Sequence, residues 1–442
     1  MSWYELDREH VWHPYTQMHT APPPIPVERA EGAYLYTTDG RAILDATSSW
    51  WVILHGHSNP RIARAIADQA GRLDQVIFAG VTHEPAARLA GELAAAAPGD
   101  LDRIFYSDDG STAVEVALKM ALQFWRNQGQ EKRRTFISLE GAYHGDTAGA
   151  MSVSGLELFG SHFHPLLFDV LRAKNPFLSG DRETTEGLAA AQLCVASMEE
   201  HLESHRGEIA AVIIEPMIQG VAGMIIWPPE FLTMVRELCD RHDVLLIADE
   251  VFTGFGRTGK FFACEHGPIV PDIMCVSKAI TGGVLPLAAT LTHERVYNTF
   301  LSEDREKTFF HGHSFTANPI ACAAALESQA ILREGGLQRI GEIESIHRSR
   351  LEGIATLDGI VEAKALGLVA RIELESAKGG YLSEVGPRIA REFLERDILL
   401  RPLGNVLYVL PPLCTSDEDL GRIYDAVEEV LANVLVGNHP VK

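Results

Sequence analysis

Nowhere do the 442 residues run to the roughly 18–20 consecutive apolar side chains a helix needs to cross a bilayer. The opening stretch, MSWYELDREHVWHPY, has neither a basic start nor an apolar core, so nothing in it suggests export. Positive charge is scarce: 38 Lys and Arg stand against 60 Asp and Glu, a net charge of −22. Nucleic acid or an anionic membrane would need a basic surface, so neither is expected as a partner, whereas a small cationic substrate is compatible. Cysteine is sparse too. Cys194, Cys239, Cys264, Cys275, Cys322 and Cys414 are scattered without a C-x-x-C pair and read as small apolar residues of a reducing cytoplasm. The histidine pairs His55/His57, His162/His164 and His311/His313 lack carboxylate or cysteine companions at ligand spacing, so no metal is expected. The expectation is a cytoplasmic, enzyme-sized globule.

What is present is alternation. Between about residues 102 and 295, apolar runs such as TFISLE, AAVIIEPM (210–217), VLLIAD (244–249) and DIMCVS (272–277) alternate with helical patterns. One pattern puts Val114, Ala117, Leu118, Ala121 and Trp125 on one face. Strands that are apolar throughout predict a mainly parallel sheet covered on both faces, with ligands at the strands' carboxyl ends. The tail, with GLQRIGEIESIHRSRLEGI, strands near 359–374 and a last helix from Asp417, predicts a smaller α+β domain. The expected division is an N-terminal segment, 1–55, joining that small domain, a large α/β domain over 56–330, and the small domain over 331–442.

The stretch LLIADEVFTGFGRTGKFF contains Gly254-x-Gly256-x-x-Gly259 after a strand-like run. A dinucleotide loop needs a helix starting among its glycines, and KFFACEHGPIVP has no helical period. The glycines therefore read as loop-formers. Asp249, just before them, ends a strand; it is either an exposed or ion-paired aspartate, with Arg257 as candidate partner, or it faces a cationic ring nitrogen. Lys278 ends the next apolar strand, before Gly282-Gly283. It is either a solvated lysine or an amine of lowered pKa able to form a Schiff base. An acid and an amine on two strand ends of one sheet suit pyridoxal 5'-phosphate, which needs a lysine, a carboxylate, a phosphate cradle and an aromatic partner. SDDGSTAVEVALK supplies a cradle at a helix start through Gly110, Ser111 and Thr112, and EGAYHGDTAGAMS supplies Tyr143.

ADEVFTGFGRTG, SKAITGG, DGSTAVEVALKMA and YHGD, together over nearly the whole chain, resemble the class III (ω-type) aminotransferases. The resemblance implies PLP-dependent transferase fold type I, α/β, with a seven-stranded, mainly parallel sheet. It implies Lys278, Asp249 and Tyr143 as catalytic residues, and Gly110, Ser111, Val251, His313 and Ser314 as further cofactor contacts. In that family the phosphate-binding Ser or Thr comes from a neighbouring subunit. KTFFHGHSFTANPIACAAA matches that loop, so a homodimer with its active site at the subunit interface is implied. Glu215, in IIEPMIQG, matches a glutamate near the cofactor.

Three further stretches, WHPYTQM, SSWWVILHGH and LLRPLGNVLYVLPPL, resemble a biotin-synthetic branch of that family, whose acceptor is 8-amino-7-oxononanoate and whose donor is S-adenosylmethionine. The likeness implies Tyr15, Trp51, Tyr143, Gly312, Arg401 and Tyr408 as substrate contacts. Arg401 would meet the keto acid's carboxylate, and the aromatic faces a sulfonium. Gly312-His313-Ser314 departs from the family's common Gly-Pro-Thr, which leaves lysine open as donor. Another ω-aminotransferase, an aminomutase and a silent PLP-binding protein are the remaining alternatives.

Overall fold

The computed structural model describes residues 2–178, 187–376 and 380–436. Its main sheet has seven strands in the spatial order Arg103–Ser107, Ala288–Thr292, Ile273–Val276, Leu245–Asp249, Ile209–Ile214, Thr135–Leu139, Leu171–Ala173. The four pairings from Ile273–Val276 across to Leu171–Ala173 are parallel, and Ala288–Thr292 runs antiparallel to both neighbours. Every residue of the three central strands is buried, which is why they carry no polar alternation. The predicted apolar stripe of helix Gly110–Asn127 is buried at Val114, Ala117, Leu118, Ala121 and Trp125, and Asp109 caps its start by accepting from the Thr112 N–H.

Two details differ from expectation. The strand expected over 210–217 ends at Ile214, because Pro216 has no N–H for the ladder and Glu215 turns aside. The edge strand Leu171–Ala173, three residues long, has no signal of its own in the sequence.

Arg257 is not the partner of Asp249. The loop around Gly254–Gly259 contains no helix, and Arg257 lies fully buried with Nη2–H donating to the Trp51 carbonyl at 2.8 Å. Glu250, also fully buried, accepts from the Thr253 hydroxyl and the N–H groups of Ala263 and Cys264, and so closes this loop. Of the two adjacent acids, Glu250 is the structural one.

A second apolar cluster joins Ala33, Leu44 and Ala46 to Ile372, Phe393, Leu407, Tyr424 and Val427. The hairpin Tyr34–Thr37 and Ala42–Asp45 extends, through a parallel pairing of Asp45 with Leu399, onto the late strand Ile398–Leu399. Helix Leu337–Ile354 serves both cores, with Ile340 and Ile343 in the main cluster and Leu351 and Ile354 in the second.

Candidate active site

The adjacent strands Leu245–Asp249 and Ile273–Val276 are in register so that Asp249 lies opposite Cys275. Lys278 follows three residues later, with φ +47°, and both side chains line one cavity of about 770 Å³. That size is within the ~300–1,000 Å³ typical of small-molecule sites. Asp249 is buried and doubly held: Oδ1 accepts from the Val251 N–H at 3.0 Å, and Oδ2 lies 2.7 Å from Nδ1 of the buried His144. The other ring nitrogen of His144 is buried and meets no polar partner among the described residues. Lys278 Nζ sits 5.4 Å from the Trp51 ring centroid and 5.8 Å from that of Phe252. Burial pushes its ammonium pKa down, while the charges of Asp249 and Glu215 oppose the shift. Burial pushes the Glu215 carboxyl up to about 7, although it accepts from the N–H groups of Tyr143 and Gly220, both at 3.0 Å.

One wall of the cavity is the start of helix Gly110–Asn127. Gly110 is required there, because a Cβ would come within 2.4 Å of Val251 Cγ1. The hydroxyls expected to bind phosphate are otherwise engaged. Ser111 Oγ accepts from the Thr147 N–H at 2.9 Å, and the Thr112 hydroxyl donates to Asp108 Oδ1 at 2.8 Å. The wall therefore offers the first-turn amides of Gly110 and Ser111, aided by the helix dipole.

Tyr143 lines the cavity half-buried, its hydroxyl 3.3 Å from that of Tyr15. Tyr15 donates to Asp146 Oδ2 at 2.5 Å. Burial raises the pKa of both phenols, so both are held protonated.

Trp50 and Trp51 reach the cavity from an unusual turn. Ser48, Ser49, Trp50 and Trp51 have φ of +50°, +43°, +65° and +73°, a left-handed run without glycine. Each such residue costs ~1–2 kcal/mol, so the turn persists only because its surroundings hold it. Trp51 is buried, packs 4.9 Å from Phe252 between ring centroids, and donates from Nε1 to the Tyr408 hydroxyl at 3.0 Å. It both packs and lines the cavity. Arg401, rather than joining a surface ion pair, lays its guanidinium 4.2 Å from the Trp50 ring centroid.

Tyr15, Trp51, Gly110, Ser111, Tyr143, Asp249, Val251, Lys278, Arg401 and Tyr408 thus converge as expected. Gly312, His313 and Ser314 do not line this cavity: Ser314 is exposed, and His313 Nε2 lies 3.7 Å from Asp108 Oδ1. Trp50, His144 and Asp146 were not anticipated. Asp146 stands within the quoted YHGD, and Trp50 beside Trp51, so adjacency was the available signal. Among the paired histidines, His57 engages Asp45, His55 engages the Ser328 hydroxyl and His311 Nδ1 lies 3.1 Å from Lys119 Nζ, and no cluster of three or more potential metal ligands occurs among the described residues.

The residues suit pyridoxal 5'-phosphate on structural grounds. A carboxylate fixed by two donors faces the same space as a desolvated amine, and helix amides stand at a wall kept free of any Cβ. Residues 15–431 match the family described as aminotransferase class-III. An adenosylmethionine-8-amino-7-oxononanoate aminotransferase of Synechococcus elongatus is 47% identical over 425 residues, covering 96% of this chain and 99% of the relative. One of Geobacter sulfurreducens is 42% identical, covering 98% of each. The crystal structure of the Methanocaldococcus jannaschii enzyme of that name superposes with a TM-score of 0.90 at 38% identity, covering 98% of each chain. An omega transaminase of Pseudomonas jessenii, solved in complex with PMP, superposes with a TM-score of 0.93 at 27% identity over the whole of both chains. A match spanning residues 15–431, together with relatives aligned end to end, shows that this chain belongs to the class-III aminotransferases.

Proposed function

We propose that this protein uses pyridoxal 5'-phosphate to transfer an amino group from S-adenosylmethionine to 8-amino-7-oxononanoate, forming 7,8-diaminononanoate in biotin synthesis. The observation that carries the reading is that one cavity joins the Lys278–Asp249 pair to a guanidinium stacked on an indole, Arg401 on Trp50. The family relationship supplies the reaction class, and whole-chain relatives bearing the enzyme's name support the substrates.

When bound, the cofactor supplies an aldehyde that carries the amino group and a ring that accepts electrons from the substrate carbon. Lys278 would hold it through Nζ, and the first-turn amides at Gly110 and Ser111 would hold its phosphate. Lys278 would also move a proton from the substrate α-carbon, a task its lowered pKa favours. Asp249, oriented by His144 and the Val251 N–H, would present its carboxylate to the ring nitrogen. Tyr143 and Val251, which line the same cavity, would contact the cofactor. Arg401 pairs with the acceptor's carboxylate, while Trp51 and Tyr408, joined by their hydrogen bond, line its alkyl chain. Tyr15 and Phe159, with ring centroids 5.4 Å apart, give a sulfonium aromatic faces.

The working unit is a homodimer in this reading. Ser314 and His313 lie off the cavity of their own subunit beside Phe310 and Phe315, which are 78% and 66% exposed, an arrangement suited to completing a partner's phosphate site. A large domain over 56–330 and a small one from 1–55 and 331–442 accord with the second cluster, which joins residues 33–46 to 351–434. No helix among the described residues is long and apolar enough to cross a membrane, and we place the enzyme in the cytoplasm.

The test is to mix the yellow holoenzyme separately with S-adenosylmethionine, lysine, ornithine and alanine. S-adenosylmethionine should bleach the visible absorption, and 8-amino-7-oxononanoate should then restore it. Bleaching by lysine alone would move the donor to the alternative that His313-Ser314 leaves open.

A further inference from the structure

We infer that Asp45 is a positioning residue for acceptor recognition: clamped by His57, its carboxylate holds the left-handed turn that seats Trp50 under Arg401. The inference rests on the reading of Arg401 as the partner of the acceptor's carboxylate. It adds two residues that line no part of the cavity.

Asp45 is fully buried and ends the strand Ala42–Asp45. Its Oδ1 accepts from the Thr47 N–H at 3.0 Å and the Thr47 hydroxyl at 3.1 Å. Its Oδ2 accepts from the Ser49 hydroxyl at 2.8 Å and lies 2.9 Å from His57 Nε2. Both oxygens are thus used on the turn or on the residue clamping it. The Asp45 Oδ2 bond grips Ser49, the second of the two serines through which the backbone enters the left-handed region. An amide at this position could not accept at both atoms, so loss of the charge also loses one side of the grip.

The same turn is coupled to the strands carrying the acceptor-binding groups. The Ser48 hydroxyl donates to the Leu410 carbonyl at 2.7 Å, just beyond strand Val406–Val409, on which Tyr408 receives the Trp51 bond. Asp45 pairs in register with Leu399, two residues before Arg401, and the Ala46 N–H donates to the Leu399 carbonyl at 3.0 Å. Indole and guanidinium therefore hang from one strand pair, and the carboxylate at its end sets the angle at which the indole leaves. If Asp45 served only the stability of the fold, its loss would not discriminate between acceptor binding and the donor step.

The test compares Asp45→Asn, His57→Leu, His57→Gln and Ser49→Ala holoenzymes with the parent. Steady-state kinetics use 8-amino-7-oxononanoate, and nonanoate serves as an unreactive alkyl carboxylate probe. Asp45→Asn should raise both the acceptor KM and the nonanoate inhibition constant about tenfold, as expected for weakened contacts to a charged group, with bleaching by donor alone within about twofold of the parent. His57→Leu should shift the same two constants, and His57→Gln, which keeps a donor toward Asp45, should bring them back. Ser49→Ala, the mildest change, gives a smaller shift in the same direction and covers the case in which Asp45→Asn does not fold. Unchanged acceptor constants in Ser49→Ala and His57→Leu, or an equal loss in the donor step, overturn the inference. A parent enzyme indifferent to nonanoate and to Arg401→Ala overturns the reading of Arg401 beneath it, and the inference with it.

Discussion

His144 stands directly behind Asp249, its Nδ1 2.7 Å from Oδ2, with both side chains buried. A carboxylate accepts and cannot donate when ionised, so the ring proton belongs on Nδ1. Together with the Val251 N–H, that proton leaves the carboxylate little freedom to turn. Asp249→Asn should therefore lower kcat by ~10²-fold or more, the scale of losing one preorganised charge contact. His144→Leu should lower it less, with the acceptor KM unchanged. Stopped-flow bleaching by donor measures both. Asp249→Asn retaining a tenth of the parent rate would remove Asp249 from the ring nitrogen.

Arg401→Ala should raise the acceptor KM by ~10- to 100-fold, since a charge-assisted contact of ~1.5–3 kcal/mol is lost. Arg401→Lys should recover only part, because an ammonium lacks the planar fork that both stacks on Trp50 and pairs with a carboxylate. Full recovery by lysine would show that the stack is immaterial.

Subunit complementation checks the loop at residues 312–314. Lys278→Ala and Ser314→Glu homodimers should each be nearly inactive. Dimers mixed from the two variants should regain activity, because one of their two sites then combines Lys278 of one subunit with Ser314 of the other. Mixtures that stay inactive after subunit exchange, verified by mass, would put Ser314 in its own subunit's site or in none.

Acid should weaken the second core through His347. Its ring is buried between helices Leu337–Ile354 and Asp417–Val436, with the Tyr424 hydroxyl 2.6 Å from Nδ1 and the Leu368 carbonyl 3.2 Å from Nε2. Burial pushes its pKa down to about 4 from an ordinary 6.5. The unfolded chain takes up the proton first, so this stability is complete above about pH 6.5 and is lost as pH falls toward 4. The full difference is about 3 kcal/mol. Urea unfolding at pH 7, 6 and 5 should show His347→Gln less sensitive to acid than the parent by about one proton. Equal slopes would discount the residue.

Much of this site was readable in residue order, and the reasons are local. Asp249 and Lys278 end apolar runs, and in a parallel sheet strand ends share one edge, so their convergence followed from pattern alone. The sequence misled where a side chain had a nearer partner. Thr112 looks like a phosphate donor, yet its hydroxyl is taken by Asp108 in the cap of its own helix. Trp50 on Arg401 was hidden because nothing local relates the two, and SSWW has no glycine to announce left-handed backbone. Bonds from Leu410 and Arg257, far away in the chain, hold that turn together with the local grip of Asp45. The loop that resembles the family's phosphate-binding segment lies off the cavity of its own chain, as a site shared between copies would require.

The pairing of Ala42–Asp45 with Ile398–Leu399 also sets an order of events during biosynthesis. One partner leaves the ribosome early and the other near the end, so the acceptor end of the cavity is assembled only once translation is nearly over. Until then the early hairpin carries an open edge, an invitation to wrong pairing that slow, long-range topologies share. A nascent chain halted before residue 398 would already hold the central strands with Asp249 and Lys278, but would lack Arg401 and Tyr408 and so any charge to greet the acceptor's carboxylate.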